Sequence, residues 1–212
     1  MNRLWLLSAL LLLGACASLE VAREHLRAGN QAEEAGNLDQ ALVHYQAAVD
    51  EYKNFPDAWN NIGFVYARRQ NTDAARKSFE QAIRLDPRHA GAHFNLARLQ
   101  EDAGEDAAAM ASYRQVLVIE PTHPAARVNL ARLLIKAGDR AGGKRELEQV
   151  TVQSADYAPG HFSLGLLLYQ ETNIHAALSE FRKGCELGLP PACANADRMR
   201  ILLTKNESDQ QP

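Results

Sequence analysis

Three stretches of the chain hold residue types at spacings that could do chemistry. Gly138-Asp139-Arg140-Ala141-Gly142-Gly143-Lys144 matches the first seven positions of the G-x-x-x-x-G-K pattern in which backbone amides cradle phosphates. Arg145 stands where that chemistry needs a Ser or Thr hydroxyl to hold magnesium, and no strand-like run precedes the glycines, so nucleotide binding is not expected. Gly160-His161-Phe162-Ser163-Leu164-Gly165 has the outline of a nucleophile elbow, yet His161 rather than Gly lies two residues before Ser163, in a helical context that lacks the strained turn. Seven histidines are spread without metal-ligand spacing. His25, His93 and His161 share one periodic column and read as packing or groove-edge residues. Paired carboxylates such as Glu33-Glu34 and Glu101-Asp102 read as solvated faces. With no nucleophile, base and oxyanion donors in register, the chain is not expected to be an enzyme, and no cofactor, metal or small-molecule substrate is expected.

The elements that carry these residues follow from a period of 34 residues through most of the chain. One column reads Ala41, Ala75, Ala109, Gly143, Ala177, and four residues later Tyr45, Phe79, Tyr113, Leu147, Phe181. A third reads Gly29, Gly63, Ala97, Ala131, Gly165, each one residue after Ala28, Ile62, Leu96, Leu130, Leu164. Two helices approach closely where one lacks a side chain and the other fills the space, so small and large columns at fixed phase predict a helical hairpin. Gly36, Gly104 and Gly138 predict the turns, and Pro87 and Pro121 close second helices.

Trp59, Ile62, Gly63, Tyr66, Ala75, Phe79, Ala82 and Pro87 match the signature of the tetratricopeptide repeat within one unit, and the chain resembles that family over residues 22–191. The resemblance implies an all-α, right-handed solenoid of five helix-turn-helix repeats (22–55, 56–89, 90–123, 124–157, 158–191), with a concave face lined by first helices. Lys53 and Ala155 stand where the family often has Pro, and Gly142-Gly143 is expected to weaken the start of a helix. Ala192, Ala196, Met199 and Leu203 recur at helical spacing, which predicts a capping helix over 192–204 and a disordered tail over 205–212.

The amino terminus has the form of an export signal: Arg3, an uncharged run from Leu4 to Leu13, then small residues. Leu13-Gly14-Ala15-Cys16 resembles the lipobox of bacterial lipoproteins, which implies a signal peptide over 1–15, a thioether-linked diacylglycerol and further acylation on Cys16, and a linker over 16–21. Ala17, where an inner-membrane retention signal would usually have Asp, favours the outer membrane facing the periplasm by the same resemblance. Ordinary secretion is the alternative, because Ala15-Cys16-Ala17 also fits a small-x-small cleavage pattern. Cys185 and Cys193 look like the cysteine pairs of Sel-type helical repeats, which implies a disulfide tying the last second helix to the cap. Two buried thiols are the alternative.

With 46% hydrophobic and 23% charged residues and a formal net charge of −3, the chain has the composition of an ordinary globular protein and no electrostatic reason to bind nucleic acid. Its function is therefore expected on the concave face. Asn61, Asn95 and Asn129 occupy one column there, with Arg27 before and Ser163 after. An amide both donates and accepts, so such a ladder can bond a peptide backbone, as the resemblance to the asparagine ladder of O-linked N-acetylglucosamine transferase implies. The alternative is that these amides pair with neighbouring helices. Phe94 and Phe162 flank the ladder on one side and Phe64, Arg98 and Arg132 on the other, which suits an extended protein segment with apolar side chains and a carboxylate. The carboxylate clamp of chaperone-binding members is incomplete: Asn30 and Asn61 match, while Leu26, Gly91 and Asn95 replace its basic residues. The resemblance implies a membrane-anchored scaffold or adaptor that binds a partner segment and assists assembly of an envelope or pilus-type complex. The alternative is a stable structural subunit of an outer-membrane complex that binds through its convex face and edges.

Overall fold

The computed structural model describes the backbone of residues 3–208 and the side chains of residues 17–204. All regular elements among the described residues are helices. They form two compact units, the first ending at Glu105 and the second starting at Asp106. The first unit holds α1 (Arg3–Glu34), α2 (Leu38–Glu51), α3 (Pro56–Arg68), α4 (Thr72–Leu85) and α5 (Ala90–Asp102). The second holds α6 (Asp106–Ile119), α7 (Pro124–Lys136), α8 (Arg140–Gln153), α9 (Ala158–Gln170), α10 (Ile174–Glu186) and α11 (Pro190–Ser208). α1 with α2 and α3 with α4 are antiparallel hairpins, as are α7 with α8 and α9 with α10, and within each unit every hairpin packs on its neighbour. The unit is helix, turn, helix, stacked side by side: an α-solenoid.

The small and large columns make these hairpins. A Cβ built on Gly63 would lie 2.6 Å from Cδ1 of Phe79, so only a missing side chain lets the Phe79 ring lie against α3. Where the small column carries Ala131, the facing residue is the smaller Leu147, and both are buried in one core cluster. Tyr45 and Phe181 are fully buried, and each contributes roughly 1.5–3 kcal/mol. Gly143 serves a purpose other than the expected weakening of α8. A Cβ there would meet the carbonyl oxygen of Ala131 at 2.7 Å, so the glycine permits the close α7/α8 approach.

Two further columns organise the helix ends. Asn37, Asn71, Asp139 and Asn173 cap the second helices, each side-chain oxygen accepting the amide three residues on at 2.8–3.2 Å. His89 and His123 cap first helices, their Nδ1 atoms accepting from Ala92 and Ala126 at 3.0 and 3.1 Å.

Some boundaries differ from expectation. Residues 16–21, read as a linker, lie inside α1, since nothing between Gly14 and Ala22 breaks an alanine-rich helix. The cap enters at Pro190, where a proline suits the first turn, and runs to Ser208, so 205–208 of the expected tail continue it. Residues 209–212 and the side chain of Cys16 lie outside the described residues. Among the described residues no helix is long and apolar enough to cross a membrane.

Candidate partner-binding face

The first-helix column of asparagines is wired internally. In the first unit, Asn95 donates from Nδ2 to Oδ1 of Asn60 at 3.0 Å, and Asn60 donates to Asn61 at 3.2 Å. Asn61 in turn donates to Oδ1 of Asn30 at 3.1 Å. The Tyr45 hydroxyl reaches Oδ1 of Asn30 at 2.9 Å and Glu33 at 2.8 Å. Burial, and then the Glu33 carboxylate beside it, hold that phenol well above its usual pKa, so it stays a donor. The result is a chain of amides across α5, α3 and α1, in which Asn95 and Asn61 each donate to the preceding first helix and Asn60 links them along α3. Asn129, in the second unit, donates instead to the Tyr113 hydroxyl at 3.1 Å. The three asparagines are half-buried, and their amide donors serve neighbouring helices while part of each side chain stays accessible. Asn60, from the adjacent column, is the link that same-column reasoning does not supply.

Beside Asn95 the first unit has a cleft of about 140 Å3, floored by Phe64, Phe79 and Leu99 and rimmed by Asn95, Arg98 and Asp102. Arg68 borders it too, with its guanidinium 5.8 Å from the Phe64 ring centre. The second unit has a cleft of about 180 Å3 lined by Val128, Ile135, Leu147, Leu166 and Leu167, with Arg132, Ser163 and Gln170 at its polar edge. Phe64, Asn95 and Arg98 are thus brought together, and Arg132 lines the second cleft. Phe94 is half-buried on α5 outside both linings. Phe162 is drawn toward the core, its ring centre 5.9 Å from that of Phe181. Arg68, Ile135 and Gln170 went unnoticed in the sequence, and Asp102 was read only as part of a solvated face, because their columns mix charged, polar and apolar residues. The signal that finds them is helical phase, one turn beyond Phe64, Arg98, Arg132 and Leu166.

The residues of the catalytic look-alikes have structural uses. Ser163 donates to the Pro159 carbonyl at 2.7 Å, within a helix. The ring nitrogens of His161, which is buried, lie 2.7 Å from a Glu180 oxygen and 3.0 Å from the Ala155 carbonyl, leaving neither to serve Ser163 as base. Lys144 pairs with Glu171 at 2.6 Å, and this lysine, with Arg140 nearby, holds the Glu171 carboxyl below its usual pKa. Among the described side chains no group of His, Cys, Asp and Glu could hold a metal ion. Cys185 and Cys193 form the expected disulfide, with Cα atoms 4.6 Å apart, joining α10 to α11.

Two sequence profiles of the tetratricopeptide repeat match, one at residues 26–74 and 65–124 and the other at 102–161. They cover more than half of the chain, which belongs to the tetratricopeptide repeat family. It is 35% identical over 71 residues to Superkiller protein 3 of Schizosaccharomyces pombe, a match covering 34% of this chain and 5% of that protein. It is 29% identical over 76 residues to the peroxisomal targeting signal receptor of Yarrowia lipolytica, covering 36% and 13%. The chain therefore spans a small part of the length of these relatives. Among solved structures, that from the functional characterization of Pseudomonas aeruginosa pilF superposes with a TM-score of 0.82 at 16% identity, covering 90% of this chain and 88% of that one. YrrB, a tetratricopeptide protein with an unusual peptide-binding site, gives 0.63 at 18% identity, covering 83% and 90%. At these identities the likeness is one of fold.

Proposed function

We propose that the protein is a membrane-anchored adaptor that holds an extended segment of a partner protein on its first-helix face and assists assembly of an envelope or pilus-type complex. The observation that carries this reading is the joining of polar amides and side-chain-sized clefts on first helices, with the amide chain and its cleft meeting at Asn95. A peptide backbone offers donors and acceptors at regular intervals, and half-buried amide side chains beside clefts suit it. The peptide-binding site reported for YrrB supports the same use of the fold. The anchor rests on the Leu13-to-Cys16 lipobox, and an outer-membrane, periplasm-facing location on Ala17.

In a pull-down from native membranes, Asn95→Ala combined with Asn129→Ala is expected to lower partner recovery severalfold while leaving the circular dichroism melt near that of wild type. Equal recovery by both proteins would remove the face from consideration. Fatty-acid labelling with mass spectrometry of the mature amino terminus tests the anchor, and a mature chain starting at an unmodified Ser18 would exclude it. The structural-subunit reading draws on Val118 and Val152, 72% and 80% exposed one repeat apart on second helices. It predicts a stoichiometric partner set that survives the double asparagine substitution.

A further inference from the structure

The two clefts are the same site built twice. Phe64, Ala67, Phe79, Asn95, Arg98 and Asp102 of the first unit recur, two 34-residue repeats further on, as Arg132, Ile135, Leu147, Ser163, Leu166 and Gln170 of the second. In both places two consecutive first helices flank a second helix and leave a side-chain-sized recess between them, which keeps its place in the repeat while its chemistry changes.

Most of the changes run in one direction; the exception is Arg132 in place of Phe64, a guanidinium already engaged in an interaction of its own. Over the first cleft stand Arg98 and Arg68, both exposed; Arg98 has no ion-pair partner among the described residues, and Asp102 beside them is the cleft's only carboxylate. In the second cleft, Leu166 replaces Arg98, Gln170 replaces Asp102 and Ile135 replaces Ala67, so the lining becomes mostly aliphatic and loses its acid. Leu166 is 36% exposed, an aliphatic side chain left at the mouth of an aliphatic recess.

We propose, building on the first-helix face as a peptide-binding surface, that each cleft is a specificity subsite in its own right, the first for an acidic protein segment and the second for an apolar one. The first accepts an Asp or Glu side chain against Arg98, and the second accepts a Leu- or Phe-sized side chain. Arg98 and Leu166, equivalent positions of the repeat, decide which is taken. Charge complementarity selects the occupant of the first cleft: a carboxylate pairs with Arg98 while its methylenes cover Phe64 and Leu99. Burial of apolar area selects the occupant of the second.

The test is an oriented library of capped seven-residue peptides, scored for bound residue types against the full-length protein, Arg98→Leu and Leu166→Arg. Both substitutions lie at exposed positions, and circular dichroism checks their folding. Wild type is expected to select Asp or Glu in one class of bound peptides and Leu or Phe in another, the acidic preference fading between 50 and 500 mM salt and the apolar one persisting. Arg98→Leu should cut the acidic preference about fivefold, the scale of an exposed ion pair, and leave the apolar one in place. Leu166→Arg should replace the apolar preference by an acidic one. Selection by wild type that neither substitution alters would overturn the subsite assignment and leave peptide binding on this face standing. No selection above that of heat-denatured protein would overturn both.

Discussion

Thr172 and Gln70 hold φ at 60°, the left-handed conformation that Gly36, Gly104 and Gly138 adopt at the same point of the other turns. A β-branched residue is strained there, so Thr172→Gly should raise stability by about 1 kcal/mol in denaturant unfolding. A fall in stability would mean that the threonine hydroxyl, which donates to the Glu171 carbonyl at 2.6 Å, outweighs the strain. His89 sets a pH dependence. Its Nε2 faces the Asp57 carboxylate at 3.1 Å, and that contact raises the histidine pKa and lowers the aspartate's, against burial, which opposes both shifts. The pair's stabilisation is complete from just above the ordinary carboxylate range up to the ordinary imidazole value of about 6.5. It fades as pH rises through the elevated histidine value, and again as pH falls through the depressed aspartate value. Protonation also puts a hydrogen on the Nδ1 that now accepts from Ala92, which confines the gain to a few tenths of a kcal/mol. His89→Asn keeps an N-cap and loses the pair, so the melting difference from wild type should be larger at pH 6 than at pH 8.5. At this scale the packing columns were legible because small faces large at constant phase. The cap columns were not: Asn71 and His89 act through a side-chain oxygen or nitrogen aimed at a local amide, and hydrophobic periodicity carries no trace of that.

The joint between α10 and α11 rests on more than apolar contact. Gly184 gives up its side chain to Ala192, whose Cβ would sit 2.9 Å from a Cβ there, and the disulfide closes the turn between the helices. Replacing both cysteines, Cys185→Ser with Cys193→Ser, should cost about 2–3 kcal/mol in unfolding under oxidising conditions and nothing beyond that on adding reductant. Reductant-sensitive unfolding of wild type alone is the expected readout. The starts at Pro56 and Pro124 were legible as repeat boundaries from the 34-residue period, and a proline fits a first turn there. The run of α1 through residues 16–21 was not readable, because processing signals occupy the same residues and draw attention from their helix propensity.

Contacts in each unit link helices that are neighbours or next neighbours in sequence, so stability is expected to be local rather than global. Met199 is fully buried in the cap and belongs to a core cluster with Leu164, Leu168 and Phe181. Met199→Ala should cost about 2–5 kcal/mol, and hydrogen exchange should quicken in α9, α10 and α11 while α1 to α4 keep their protection. Uniform loss of protection would show a single cooperative body. The fold at this scale follows from the 34-residue period alone. The candidate site followed only in part: Asn95, Phe64 and Arg98 converge, whereas Phe162 turns inward because the Gly165 gap brings the Phe181 ring close to α9. The unbroken course of α1 has a mechanical meaning. The six helical steps from Cys16 to Ala22 rise about 9 Å, with no joint between them. With lipid on Cys16, the first hairpin would stand on a stiff post rather than a tether, and a pull on the captured segment would reach the bilayer as a bending moment, with the azimuth of the amide chain already set.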